Sequence, residues 1–129
     1  MNFVFDTNII IDGLRRRRAA KEILTKFEKT NDFLFVSSIV GFELFSGQST
    51  KKTEQVKRIN DFLDYFKIVD LNWNIAKMAG KMYRDGIREL ALADYIIAAT
   101  AMEIGAQVVT LNKKHFRKIP GVSLYEGNQ

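Results

Sequence analysis

Along the 129-residue chain, short apolar runs rich in β-prone residues alternate with longer stretches of helical periodicity. The runs Asn2–Phe5, Phe33–Val36, Phe66–Val69, Gln107–Thr110 and Val122–Tyr125 are largely continuous rather than alternating. That is the pattern of strands buried on both faces. Helical patterns fall at 15–30, 38–47, 51–65, 72–86 and 92–104. Thr53 and Asn72 stand where helix caps are expected, and Gly105 where a helix stops. The segment Leu92–Ala101 is apolar nearly all round, which predicts a buried helix. The aromatic segments Phe33–Phe35 and Phe62–Phe66 (with Tyr65) read as core rather than as base-stacking platforms. Strands alternating with helices predict an α/β domain with a mainly parallel sheet of about five strands. No linker, repeat or low-complexity stretch interrupts the pattern, so residues 1–129 read as one domain. In such sheets, ligands bind beyond the carboxyl ends of the strands.

Composition narrows the chemistry. Cysteine is absent, which removes disulfides, thiolate zinc sites, iron–sulfur clusters and a cysteine nucleophile, and suits a reducing cytoplasm. No apolar run approaches the ~20 residues that span a bilayer. Asp6 interrupts the short apolar start and no basic segment precedes it, which argues against a signal peptide. The net charge is +5. It sits in residues 15–29, which hold Arg15, Arg16, Arg17, Arg18, Lys21, Lys26 and Lys29 against Glu22 and Glu28. The remainder of the chain is neutral. Arginines in series repel one another at helical spacing by a few tenths of a kcal/mol. Phosphate contacts or an acidic protein partner would explain that cost; a solvated helix face is the alternative.

Three acids lack a local cation. Asp6 follows the first strand, in Phe5-Asp6-Thr7-Asn8, and could also cap a short helix. Glu43 lies among Phe42, Leu44 and Phe45, with Ile39, Val40, Ser46 and Gly47 as its helical neighbours; the alternative is a helix that turns it to water. Asp94 has Leu90, Ala91, Ile97 and Ala98 as neighbours; a helix-start acid favoured by the dipole is the alternative. Asn112 follows the fourth strand and offers a carbonyl oxygen. Three carboxylates brought to about 5 Å would repel by ~3 kcal/mol per pair at an effective dielectric near 20. Such a cluster needs a proton, a cation or distance. Oxygen donors without cysteine point to Mg²⁺ or Mn²⁺ rather than zinc. A cation held by a few carboxylates suits phosphodiester hydrolysis. The single histidine, His115, is either a general base or a structural side chain beside Phe116.

The segments Phe5-Asp6-Thr7-Asn8, Ser37-Ser38 with Glu43-Leu44 and Gly47, Leu92 to Ala101, and Thr110-Leu111-Asn112-Lys113-Lys114-His115-Phe116 resemble the PIN domain, in family order. Within that family the chain is most similar to the VapC-type toxins of toxin–antitoxin pairs. The resemblance covers essentially the whole chain. It implies a three-layer PIN-like α/β domain and a Mg²⁺- or Mn²⁺-dependent endoribonuclease acting through metal-activated water. It also implies a homodimer in the cytoplasm and a cognate antitoxin protein. By position, Asp6, Glu43 and Asp94 match the family's acidic metal ligands. Asn112 stands where the family often has Asp, which removes a negative charge and bears on a second metal. Thr7, Asn8, Ser38 and Thr110 fall where the family has supporting polar groups. Arg15, Arg16, Arg17, Arg18 and Lys21 are candidates for contact with RNA or the antitoxin. The competing reading is a catalytically weak PIN-like module that binds RNA or protein. A phospho-acceptor receiver domain also places Asp at strand ends, but it carries an acidic pair where this chain has Asp6 followed by Thr7.

Overall fold

The computed structural model describes residues 1–86 and 90–127. The elements are β1 (Asn2–Phe5), α1 (Thr7–Leu14), α2 (Arg18–Glu28), β2 (Phe33–Ser37), α3 (Ser38–Phe45), a 3-10 turn (Gln48–Lys51), α4 (Thr53–Leu63), β3 (Lys67–Val69), α5 (Trp73–Asp85), α6 (Leu92–Glu103), β4 (Gln107–Val109) and α7 (Lys113–Phe116). The strands pair in parallel in the order β3-β2-β1-β4, with helices flanking the sheet. The α/β architecture is the expected one. Among the described residues the strand count is four rather than five. Val122–Tyr125 meets β4 in a single bridge, Val108 to Leu124. Gly121 and Gly127, with φ of 87° and 78°, turn the chain on either side, so the ladder cannot extend.

Local chemistry accounts for most element ends. Asn72 caps α5, its side-chain oxygen accepting the Ile75 N–H at 2.9 Å. Gly105, at φ 64°, follows α6 as expected. Thr53 is instead the first helical residue of α4; Lys52 occupies the cap without a side-chain bond. The helix expected over 15–30 begins only at Arg18, because α1 ends at Leu14 and a turn intervenes. Gly13 permits that crossing. A Cβ there would stand 2.7 Å from Leu24 Cδ1 and 2.9 Å from Phe62 Cζ, so α1 passes close over α2 and α4.

One face of the sheet is closed by aromatic contacts. Phe3 and Phe5 meet Phe27 of α2 edge-on, with centroids 4.8 and 5.1 Å apart, and Phe5 also meets Phe66 at 5.1 Å. Helix α6 packs against β1, β2 and β4, and its residues Tyr95 to Ala101 are all buried, as the apolar pattern predicts. Each fully buried Ile or Val among these contributes ~1.5–3 kcal/mol. The aromatic segments divide. Phe66 is buried, and Phe35 and Phe62 pack partly against the core. Phe33 and Tyr65 are not core, being 51% and 77% exposed. Phe33 starts its strand at the rim, beneath Lys67 Nζ at 5.2 Å, and Tyr65 sits in the turn before β3.

The winding decides where a ligand can bind. From β1 the chain builds outward through β2 and β3, then returns to place β4 on the other side of β1. The crevice of such a sheet opens at the carboxyl end of the strand where the order reverses. That strand is β1, and the residue after it is Asp6.

Candidate metal centre

Asp6 leaves β1 and caps α1. Its Oδ1 accepts the Thr7 N–H and its Oδ2 the Thr110 hydroxyl, both at 2.7 Å. Strand register explains the second bond. Phe5 pairs with Val109, and the Asp6 N–H donates to the Val109 carbonyl at 2.9 Å, so the next residues along each strand stand side by side. The Thr110 hydroxyl also accepts the Asn112 N–H at 2.9 Å. Asp6 is only 4% exposed. It is both the helix cap that its local sequence allows and a buried acid at the switch point.

Two further acids act on it. Glu43, half-buried on α3, accepts the Thr7 hydroxyl, so Thr7 bridges the two carboxylates with its N–H and its side chain. Asp94, half-buried in the first turn of α6, accepts the Ala91 N–H at 3.1 Å. Burial pushes the Asp6 carboxyl up to about 6. The bond from Thr110 opposes this, the charge of Asp94 adds to it, the bond from Thr7 opposes it and Glu43 adds again. Asp94 is also raised, by burial, against the Ala91 bond and a positive charge on His115. Among the described residues, no three His, Asp or Glu side chains are gathered into a metal-holding group as they stand. Glu43 and Asp94 are each turned to a local donor, which keeps uncompensated charges apart. The donor chemistry nevertheless fits a hard cation. Asp6 feels both other acids, every donor is oxygen, and a buried carboxylate with acidic neighbours needs a proton or a cation.

The other candidates fall into two groups. Asn8 Oδ1 accepts the Leu111 N–H at 3.3 Å, tying α1 to the segment after β4. The Ser38 hydroxyl accepts the Leu71 N–H at 3.0 Å and fastens the loop after β3 instead of touching the acids. Asn112 supports Asp6 through its backbone alone. Its side-chain nitrogen lies 2.7 Å from His115 Nδ1. His115 is therefore neither free nor remote: it is half-buried, and it lies close enough to Asp94 to act on that carboxylate. The i,i+3 spacing of Asn112 and His115 was the available signal for this pair. The basic run also splits. Arg17 lies 3.9 Å from Asp12 and Arg18 3.0 Å from Glu22, whereas Arg15 and Arg16 make no ion pair among the described residues. Lys21 is exposed on α2.

A family model described as the PIN domain matches residues 3–122. The chain belongs to the PIN domain family. Ribonuclease VapC19 of Mycobacterium tuberculosis is 29% identical over 120 residues, covering 91% of this PIN domain and 94% of the relative. Ribonuclease VapC10 of the same species is 34% identical over 114 residues, covering 86% and 83%. The structure also resembles a chain of VapBC2 from Rickettsia felis, crystallised with a DNA fragment from their promoter. The TM-score is 0.81 at 26% identity, over 97% of this chain and 98% of that one. A chain of a toxin–antitoxin complex from Klebsiella pneumoniae is 34% identical, with a TM-score of 0.74 over 92% and 93%.

Proposed function

We propose that this PIN domain is a ribonuclease toxin of the VapC type, hydrolysing RNA phosphodiesters at the carboxyl end of β1. The observation that carries this reading is Asp6, buried at the switch point and pressed from two other helices by Asp94 and Glu43. Asp6, Glu43 and Asp94 would hold Mg²⁺ or Mn²⁺. When bound there, such a cation would acidify water and offset charge at the scissile phosphate. The chain's own groups do the positioning. The Thr110 hydroxyl and Thr7 N–H fix both oxygens of Asp6, and the Thr7 hydroxyl fixes Glu43. The Ala91 N–H holds Asp94 at the start of α6. These bonds limit the rotamers open to each carboxylate, so that only small side-chain turns would bring Glu43 and Asp94 toward Asp6 when a cation binds.

The test is cleavage of total RNA with Mg²⁺ or Mn²⁺, with and without EDTA, by the wild type and by Asp94→Asn. Cleavage that needs the metal and is lost in the variant is the expected result. Cleavage that survives both changes sinks the reading. The alternative, a weakly catalytic module that binds RNA or protein, draws on Asn112, whose amide is engaged with His115. It predicts RNA binding with no cleavage under any divalent metal.

Residues 1–129 would act as one domain, in the cytoplasm; no described helix is long and apolar enough to cross a membrane. The partners we assign are a cognate antitoxin and a second copy of the chain. Exposed apolar surface supports the second copy. Phe42 on α3 and Trp73 on α5 are 71% and 80% exposed, and Leu71, Tyr83 and Leu92 border one shallow hollow.

A further inference from the structure

Building on the ribonuclease reading, we propose that the cleft between α1, α3 and α4 is the channel for the RNA backbone beside the scissile phosphate, with Arg15, Arg16 and Arg58 binding its phosphates. The cleft encloses about 580 Å³, within the size range of small-ligand sites. Its apolar lining includes Ile11, Leu14, Leu44 and Ile59. Its polar lining includes the three arginines and Glu43, so one of the three proposed metal ligands borders it. Single strands are the RNA form whose bases can be splayed out, so the backbone the cleft would take is that of a single strand.

The three guanidinium groups share a property that their neighbours lack. Among the described residues none of them pairs with a carboxylate, whereas Arg17, Arg18 and Lys57 do. Arg58 is nonetheless held in place. It donates to the Leu14 carbonyl at 2.6 Å and to Gln55 Oε1 at 3.2 Å. Both acceptors are neutral, so its charge is not cancelled, and its remaining N–H groups can fork onto phosphate oxygens.

Arg16 adds an independent observation. It sits at φ 56° and is the only non-glycine residue at positive φ among those described. Its N–H donates to the Gly13 carbonyl at 3.1 Å, and the Arg17 N–H to the Asp12 carbonyl at 2.9 Å. This is the Schellman ending of α1, at the position where glycine is favoured because it avoids the strain of a side chain. A strained arginine lining a cavity beside the candidate metal centre points to use of its side chain.

The test uses the full chain and a fluorescein-labelled, mixed-sequence, single-stranded RNA of twelve nucleotides. Anisotropy is measured in EDTA across a salt series, so that cleavage does not intervene. Arg16→Gly and Arg58→Gln should each lower affinity about fivefold at 0.1 M salt and reduce the slope of log affinity against log salt by ~0.7. Arg16→Gly should also raise Tm by ~4 °C, which separates lost binding from lost folding. Lys57→Ala, adjacent to Arg58 but paired with Asp61, should stay within about twofold of wild type. Unchanged binding by Arg16→Gly and Arg58→Gln overturns the proposal. If the wild type still cleaves RNA, the ribonuclease reading survives that failure; if it neither binds nor cleaves, both fall. Loss of affinity for an oligo-glutamate peptide with RNA affinity intact makes the cleft a protein-docking surface and likewise overturns the proposal.

Discussion

The acidic pole and the basic run are charged regions built on opposite plans. Asp6, Glu43 and Asp94 come from elements far apart in sequence, and each accepts a hydrogen bond where the helices close over the end of β1. Arg15 to Arg18 come from one contiguous turn and are exposed. Burial decides what each charge is worth. Removal from water and acidic neighbours raise Asp6 from 3.8 to about 6, which corresponds to ~3 kcal/mol. An exposed ion pair such as Arg18–Glu22 is worth ~0.3–0.5 kcal/mol. The buried region can thus store free energy that a bound cation releases, while the exposed one acts by number and position.

The comparison breaks most visibly at Asp6. Asp6→Asn keeps an oxygen for the Thr7 N–H and removes the charge. We expect RNA cleavage to fall ~10³-fold, since several kcal/mol of charge stabilisation is lost. The same variant should be more stable than the wild type in EDTA at pH 7.5, by up to ~3 kcal/mol, because a buried uncompensated charge is gone. Mn²⁺ should raise the Tm of the wild type but not of the variant, by mass action on the folded state. A variant that cleaves fully, or that is less stable than the wild type in EDTA, would contradict this account of the acidic pole.

The next effect is its pH dependence. Because the folded carboxyl holds its proton more tightly than the unfolded one, stability from this residue is greatest below pH 3.8. It falls as pH rises from 3.8 to about 6, and above that the loss of ~3 kcal/mol is complete. Other groups titrate as well, so the readout is the difference between wild type and Asp6→Asn in denaturant unfolding, in EDTA, from pH 4 to 8. A gap that widens toward neutral pH is expected. Parallel profiles would show that Asp6 is not strained by its surroundings.

The same contrast explains what was legible in the sequence. Acids lacking a cation at i±3 or i±4 stood out in apolar segments, and Asp6, Glu43 and Asp94 are the ones the fold couples. The buried strands and α6 were also legible, because continuous apolar runs have few other solutions. Helix α1 was not. Its Ile9-Ile10-Ile11 run is β-branched and locally favours a strand, and burial of Ile9 and Ile10 against the core overrides that preference. The false fifth strand failed on glycine turns that periodicity does not weigh. Arg58 could not be singled out, since its anchor is the Leu14 carbonyl, 44 positions away. Nor could the division of the arginine run, which depends on where α1 ends.

A smaller effect lies one bond away from the acids. Thr110→Val is nearly isosteric and removes the hydroxyl that Asp6 accepts and that receives the Asn112 N–H. That bond favours the ionised carboxylate, so its loss should push the Asp6 carboxyl further up. Metal affinity, read by calorimetry with Mn²⁺, should weaken ~10- to 100-fold, the usual scale for groups that orient a ligand. Unchanged affinity would mean that Asp6 is held by β1 and α1 alone.

The smallest effect belongs to the basic region and sharpens the comparison from its other end. Arg18 and Glu22 form an exposed i,i+4 pair on α2, far less buried than any of the three acids. Arg18→Ala loses that pair but gains helix propensity, and the two terms nearly cancel. Unfolding stability should shift by less than ~0.5 kcal/mol, with the balance tipping toward the propensity gain at high salt as screening removes what the pair contributed. Any loss of RNA affinity should be smaller than for Arg16→Gly, because the Arg18 charge is already answered by Glu22. A stability loss above ~1 kcal/mol would mean that Arg18 does more than stand in solvent, and that the run has structural as well as surface roles.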